Sequence, residues 1–537
     1  MPVPKLFSSC LAFMLLSLPA LLVTAQAPNQ DAAADDRPNI VFLFADDLGR
    51  YASAYREPDR PTINDVIQTP HFDALAADGV LFWDAHVSAP SCSPCRGAVL
   101  TGRHFYRNGN NSQLHNPWVQ TPGVPNPMDH IESYHQILDR MGYLTGVTYK
   151  THVPMHLFVD ASHGCQPAGG RFNTFSHRVM KGNTPEQRME IQLGLFDEVR
   201  KNFKAFLDRR EAGQPFCWYF SPTNPHRTWA WESAQAIWGL NPDDLQGRMP
   251  AFLPDLPLIR QDMADYLGEA MAFDRAVGVI VEHLKEIGEF DNTIIVVSGD
   301  HGAPGFPRGK CNLYNFGTQV PLLIHWPDGI ANPGRRIDNP TSLIDLAPTY
   351  LEAVGLPASP AMNGRSLMPL LTDGSASGLT QAGNDFVITG RERHVFNARP
   401  GDLPYSSRAL RTASYLYIRN FTQDRWPMLK PPLTNGLGTH GDFDGGPTKA
   451  FYAEQQENPA FAGFVDFALG KRPAEELYDL QADPDQMNNL VDNPDHATTL
   501  SAMREKLMTV LEQTGDPRVV GLGDAFDRPP YLKLGGR

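Results

Sequence analysis

NIVFLFADD, residues 39–47, is an apolar run that stops abruptly at two adjacent carboxylates, Asp46 and Asp47. A short apolar segment without alternation belongs to a strand covered on both faces, as in a parallel sheet flanked by helices. Working outward, strands are predicted over residues 80–87, 144–149, 216–220, 293–297 and 320–325, and helices over 132–141, 185–210 and 262–287. Another helix is expected to start in or just beyond the cysteine-containing stretch SAPSCSPCRGAVLTGR, residues 88–103. Strand and helix in alternation predict an α/β layered fold with a large, mostly parallel sheet sandwiched by helices. Sheets of this kind place ligands beyond the carboxyl ends of their strands. Asp46, Asp47, Cys92, Lys150, His152, His226, Asp300 and His301 each follow a predicted strand, so they are expected to converge on one edge.

The chain has 537 residues, 42% hydrophobic and 20% charged, enough for two or three domains with a sizeable core. There is no internal repeat. The texture changes after Pro369, and a Gly- and Ser-rich stretch over 372–383 reads as a boundary. Residues 37–371 are assigned to a catalytic domain. Residues 384–537, with short strands at 387–389 and 415–419 and a helix at 498–514, form a smaller C-terminal α+β subdomain.

Residues 1–25 have the form of a signal peptide: Lys5, an apolar run over 11–23, and Val23-Thr24-Ala25 as a small-x-small cleavage site. Residues 26–36 read as a flexible mature N-terminus. The apolar run is shorter than the ~20 residues of a bilayer span and contains Pro19, so no stable membrane insertion is expected. This implies a secreted or periplasmic protein. A lysosomal one stays open, because Asn110-Asn111-Ser112 and Asn420-Phe421-Thr422 are glycosylation acceptors.

The formal charge of −14, from 46 basic and 60 acidic residues, argues against a nucleic-acid partner. It leaves room for an anionic substrate held by a few focused cations or a metal. After the signal, Cys92, Cys95, Cys165, Cys217 and Cys311 are too few for a disulfide scaffold, and their pairing is not legible.

Asp46 and Asp47 alone fit a solvated turn as well as a metal site. Asp300-His301, flanked by Gly299 and Gly302, adds weight, because gathered carboxylates repel unless a cation joins them. Hard oxygen donors suit Ca²⁺ or Mg²⁺, and the imidazole of His301 leaves the ion's identity open. Cys92-Ser93-Pro94-Cys95-Arg96 admits three readings: a redox or zinc half-site, a disulfide partner, or a cysteine destined for modification. No second cysteine pair completes a zinc site.

The pattern C-x-P-x-R followed by Leu100-Thr101-Gly102-Arg103 resembles the signature of the formylglycine-dependent sulfatase family. The resemblance implies an alkaline-phosphatase-like fold and a Cys92 oxidised by a dedicated maturating enzyme to formylglycine (3-oxoalanine), whose hydrate is the nucleophile. It also implies a Ca²⁺ held by Asp46, Asp47, Asp300, His301 and modified Cys92; His301 stands where many members have Asn. Lys150-Thr151-His152 is similar to the family's K-x-H element and Pro225-His226 to its P-H element. Gly309-Lys310 with Val320-Pro321-Leu322 resembles the segment closing the site, and residues 476–490 its C-terminal segment.

By this resemblance Lys150 and Lys310 neutralise the sulfate, Arg96 holds the hydrate oxygen, His152 is the general base and His226 protonates the leaving group. The implied substrate is a sulfated oligo- or polysaccharide. Arg391-Glu392-Arg393-His394 is a candidate sugar-contacting segment through Arg393 and His394, although a charged strand end explains it equally well. Trp229 and Trp426, read as exposed aromatics, suit a saccharide or ordinary packing.

A finer resemblance is to heparan N-sulfatase (sulfamidase) and related bacterial carbohydrate sulfatases, through residues 309–314 and Asn224-Pro225-His226-Arg227. Lys310 replaces an Arg there, which keeps the charge and loses the planar fork, so O-sulfate and N-sulfate both stay open. Two other readings remain: a phosphoester or phosphonate hydrolase of the same superfamily, against which Cys92 speaks, and an inactive carbohydrate-binding relative.

Overall fold

The computed structural model describes residues 37–113, 130–159, 166–375, 385–395, 398–429, 432 and 441–527. The expected signal peptide and mature N-terminus, Cys165 and most of the 372–383 boundary lie outside the described residues.

The first fourteen strand segments in chain order are β1 (Asn39–Ala45), β2 (Val80–Phe82), β3 (Ala85–His86), β4 (Leu144–Tyr149), β5 (Phe216–Ser221), β6 (Thr293–Gly299), β7 (Gln319–Val320), β8 (Leu322–His325), β9 (Arg335–Ile337), β10 (Thr341–Ser342), β11 (Phe386–Arg391), β12 (Ser407–Thr412), β13 (Tyr415–Asn420) and β14 (Glu475–Asp479). Seven of them form the main sheet in the order β4-β5-β1-β6-β8-β2-β9. Only β8 runs antiparallel to its neighbours; β1 lies parallel between β5 and β6.

This central place accounts for the unbroken apolar run of β1, every residue of which is buried. Val41 and Leu43 pack with Trp218, Phe220, Ile295 and Val297 in one layer. Ile40, Phe42 and Phe44 pack with Tyr219, Ile294, Val296, Tyr134 and Tyr350 in the other. The first layer is covered by the helices Pro185–Leu207 and Pro257–Glu286, which place proline in the first turn, where its missing N–H costs no helical bond. The Thr184 side chain caps the former by accepting from Gln187 N at 3.3 Å.

Two predicted strands are each divided. Residues 80–87 break at Trp83-Asp84 into β2 and β3, and 320–325 break at Pro321 into β7 and β8. β8 pairs with β2 in the main sheet, whereas β7 pairs with β3 in a three-stranded sheet of order β10-β3-β7. The two-stranded ribbon thus crosses from one sheet to the other. Pro321 offers no N–H to a ladder, and the buried Asp84 leaves the strand to pair with His86 at 2.9 Å and Arg411 at 2.7 Å.

The later strands form a four-stranded antiparallel sheet, β11-β12-β13-β14. Leu500, Met503, Leu507 and Leu511 of the helix Ala497–Gln513 pack on it against Ile388, Leu410, Tyr417 and Leu477. Ala98, Phe105 and Tyr106, at and beyond the helix that starts at Cys92, join the same cluster, which anchors this sheet beside that helix. Among the described residues no helix is long and apolar enough to cross a membrane.

Candidate active site

Asp46 and Asp47 leave the end of β1, and Asp300 and His301 leave the end of the adjacent β6; all four are fully buried. The two turns are stitched together. Asp300 N donates to Ala45 O at 3.1 Å, and Asp47 N donates to Asp300 Oδ1 at 2.7 Å. Asp47 takes a positive φ of 65°, which turns its carboxylate back toward the sheet edge.

Cys92 opens the helix Cys92–Thr101, so its side chain sits at the electropositive end. Its Sγ is 3.4 Å from His301 Nε2 and 3.4 Å from Lys150 Nζ. Arg96 lies one turn further on. Its Nε donates to Asp300 Oδ2 at 3.0 Å, its Nη2 reaches Asp46 Oδ1 at 3.2 Å, and its Nη1 donates to Tyr219 Oη and Ser221 Oγ on β5. Lys150, just after β4, pairs with Asp46 Oδ2. Lys310 Nζ lies 3.1 Å from Asp47 Oδ1 and 3.1 Å from Asp444 Oδ2.

Three buried carboxylates, Asp46, Asp47 and Asp300, are therefore balanced by Arg96, Lys150 and Lys310. Burial opposes ionisation of Asp46, yet Lys150, with His226 and Arg96, holds its carboxyl well below the usual range. Burial likewise works against the charge of Lys310, but Asp444 and Asp47 hold it well above the ordinary lysine value. Burial pushes the Cys92 thiol far upward, so as a thiol it stays protonated.

The donor set fits a divalent cation. Ligand atoms of Asp46, Asp47, Cys92 and His301 lie within 4.8 Å of one another. Burial lowers His301 to about 4, leaving a neutral ring whose Nδ1 faces Gly302 O at 3.3 Å. Its Nε2 lies 3.2 Å from Asp47 Oδ1, an oxygen that Lys310 Nζ approaches to 3.1 Å without filling a hydrogen bond, so an imidazole nitrogen and a carboxylate oxygen converge as donors that one cation can share.

Of the residues singled out from sequence, Asp46, Asp47, Cys92, Arg96, Lys150, Asp300, His301 and Lys310 share one buried cluster. Both Asp300 oxygens are engaged, one by the Asp47 amide and one by Arg96. His226 stands at the rim, one third exposed, with Nε2 3.8 Å from Asp47 Oδ2 and Nδ1 held by Arg227 O. His152 is exposed on the connection beyond Lys150. Arg393 and His394 are buried, and His394 Nδ1 is 2.8 Å from Ser91 Oγ, next to Cys92. Trp229 is also buried, with the Arg227 guanidinium 4.1 Å above its ring. Cys95, Cys217 and Cys311 are free and buried.

Sequence reasoning missed Ser221 and Tyr219, which sit inside a predicted strand, and Asp444, which lies in a Gly-rich acidic stretch with no motif around it. A convergent, buried set of carboxylates and cations at the carboxyl edge of an α/β sheet is built to hold a metal ion and an anionic group.

The family model described as Sulfatase matches residues 38–356. The chain belongs to the sulfatase family. It is similar to an ulvan-active sulfatase of Formosa agariphila, 24% identical over 504 residues that cover 90% of this chain and 76% of the relative. It is 27% identical over 515 residues to the human N-sulphoglucosamine sulphohydrolase, covering 90% and 91% of the two chains. Among solved structures, a protein in complex with its substrate D-glucosamine-2-N,6-O-disulfate shares the fold with a TM-score of 0.58 at 19% identity, covering 89% of this chain and 98% of that one. The protein is an alkaline-phosphatase-like α/β sulfatase that hydrolyses sulfate esters, and sulfatases use a metal ion and a formylglycine.

Proposed function

We propose that this sulfatase acts on a sulfated carbohydrate, with Cys92 converted to formylglycine by a maturating enzyme and a divalent cation, Ca²⁺ in preference to Mg²⁺, held by Asp46, Asp47, His301 and the modified residue, with Asp300 alongside. The observation that carries the reading is Cys92 Sγ standing 3.4 Å from both Lys150 Nζ and His301 Nε2 at a helix N-terminus.

A sulfate monoester is an anion, and its sulfur resists attack until that charge is matched. When bound, the cation supplies further positive charge at the sulfate oxygens, and the oxidised side chain supplies, as its hydrate, an oxygen nucleophile. Lys150 and Lys310 flank the position of Cys92 and neutralise non-bridging oxygens as charge develops there. Arg96, bound to Asp46 and Asp300, orients those carboxylates and contributes a fixed positive charge beneath the nucleophile. His226, its Nδ1 fixed on Arg227 O, directs Nε2 into the site and delivers a proton to the departing sugar atom. His152, two residues beyond Lys150, is the base for the nucleophile's proton. Burial of all but the rim keeps bulk water from competing.

The similarity to an N-sulphoglucosamine sulphohydrolase over nine-tenths of both chains supports N-sulfate cleavage as a second reading. Residues 1–25 support export to a periplasmic or extracellular space. Turnover of defined O-sulfated and N-sulfated disaccharides by protein produced with a maturating enzyme tests the assignment; Cys92→Ala is expected to abolish it, and sulfate release by that variant would refute the role of Cys92.

A further inference from the structure

Lys310 is shared between Asp47 and a second carboxylate, Asp444, from a distant part of the chain. A carboxylate beside a sulfate pocket needs a reason, because it repels the anion the pocket is meant to hold. Asp444 is almost fully buried. Its Oδ2 is ion-paired with Lys310 Nζ at 3.1 Å and meets no other donor among the described residues, so one of that buried oxygen's two acceptor positions stays open.

The strap that carries Asp444 is pinned on both sides. On one side Asp442 Oδ2 receives Arg391 Nη2 and Arg399 Nη1, each at 2.7 Å, and Asp442 Oδ1 receives Val395 N at 3.1 Å. On the other, Thr448 N donates to Asp262 Oδ2 at 3.2 Å, and the same carboxylate takes both Nη atoms of Arg227 at 2.8 and 2.7 Å. Arg227 directly follows His226. Its guanidinium fills the gap between Gly305 and Gly446; a Cβ at either glycine would lie 2.4 Å from its Nε or 2.3 Å from its Nη1. A side chain at either glycine would push on the Arg227 guanidinium and its paired bonds to Asp262, so these two glycines leave room for the contact that holds the strap near Lys310.

Resting on the sulfatase reading above, we infer that Asp444 is the specificity-determining residue for the sugar: its open acceptor position takes a hydrogen bond from a hydroxyl or amine on the carbon next to the one bearing the scissile sulfate. The substrate class that follows is a saccharide with a free donor beside that sulfate. A second sulfate, or a carboxylate, at the neighbouring position is excluded by charge. Donor loss at a buried polar site is discriminated strongly because the site's own group is left unpaired.

The test uses matured full-length protein, with Asp444→Asn and Asp444→Glu, and three probes: an aryl sulfate without sugar hydroxyls, a monosulfated monosaccharide, and the same sugar with a second sulfate on the adjacent carbon. Asp444→Asn is expected to lower kcat/KM for the monosulfated sugar by ~10- to 100-fold, more than for the aryl sulfate, and to raise the disulfated-to-monosulfated ratio. Asp444→Glu, which keeps the charge, is expected to retain the bias against the disulfated sugar. If Asp444 merely holds Lys310 in place, aryl and sugar substrates lose rate equally and the ratio does not move in either variant, which overturns the assignment. With the scissile group presented as O-sulfate and as N-sulfate in the sugar probes, failure of the matured wild-type protein to release sulfate from every probe overturns the carbohydrate-sulfatase reading, and this inference with it.

Discussion

Arg96 Nε donates to Asp300 Oδ2 at 3.0 Å, and this bond ties the helix that begins with Cys92 to the end of the central strand β6. The same guanidinium reaches Asp46 at the end of β1, so one side chain sets the nucleophile position against both carboxylate turns. All three groups are fully buried. Replacement by alanine leaves Asp46 with Lys150 alone and Asp300 with the Asp47 amide and no cation, and breaking a buried pair costs about 3–5 kcal/mol. Arg96→Ala is therefore expected to lose about that much in urea unfolding, and Arg96→Lys, which keeps the charge and loses the fork, to lose less. A midpoint unchanged in both variants would contradict this role.

Asp47 is predicted to be a primary cation ligand. Equilibrium dialysis with elemental analysis is expected to find about one divalent ion per wild-type chain. Asp47→Asn should weaken binding by more than the ~10- to 100-fold that an outer-shell change costs. Ca²⁺ should raise the wild-type melting midpoint by mass action and leave that of the variant nearly unmoved; equal shifts would place the ion elsewhere.

His226 acts on the leaving group, so its importance depends on what departs. His226→Gln is expected to lower kcat by ~10²- to 10⁴-fold for a sugar sulfate and far less for an aryl sulfate whose phenolate leaves without a proton. A loss independent of leaving-group pKa would assign His226 to sulfate binding.

His135 packs between Tyr134, Phe158 and Tyr219, away from the carboxylate cluster, and its Nδ1 accepts and donates no hydrogen bond. Burial lowers its pKa to about 3. Below its unfolded value near 6.5, the unfolded chain takes up a proton that the folded chain refuses, so stability falls as pH drops from about 6.5 toward 3. Relative to His135→Phe, the wild-type protein should lose up to about 1.4 kcal/mol per pH unit in that window, measured from urea midpoints at several pH values. A pH-independent difference would mean the ring is protonated in the fold.

The legible parts of this protein are those where a local pattern has one physical outcome. The apolar run of β1 ending in Asp46-Asp47, and that of β6 ending in Asp300-His301, announce buried parallel strands and a site at their ends. Cys92-x-Pro94-x-Arg96 is legible only through its resemblance to the sulfatase signature, since the spacing by itself leaves three readings open. The division of residues 80–87 was not legible, because periodicity along a strand carries no information on which sheet each half joins; that is decided by Pro321 on the partner strand and by Arg411, far along the chain, pairing with Asp84. Asp444 was not legible for a similar reason. Its meaning comes from Lys310 and Arg227, which only the folded strap brings near it. Arg393 and His394 were legible as a charged segment at a strand end, but not their burial or the contact of His394 with Ser91 beside Cys92, which depends on the fold.

That Cys92 is an aldehyde in the active protein can be read from peptide mass spectrometry of the residues around Cys92, in protein with measured sulfatase activity. The expected result is the mass change for replacing CH₂SH by CHO, in a fraction that rises in proportion to specific activity. Fully active protein carrying only an intact Cys92 thiol would contradict it.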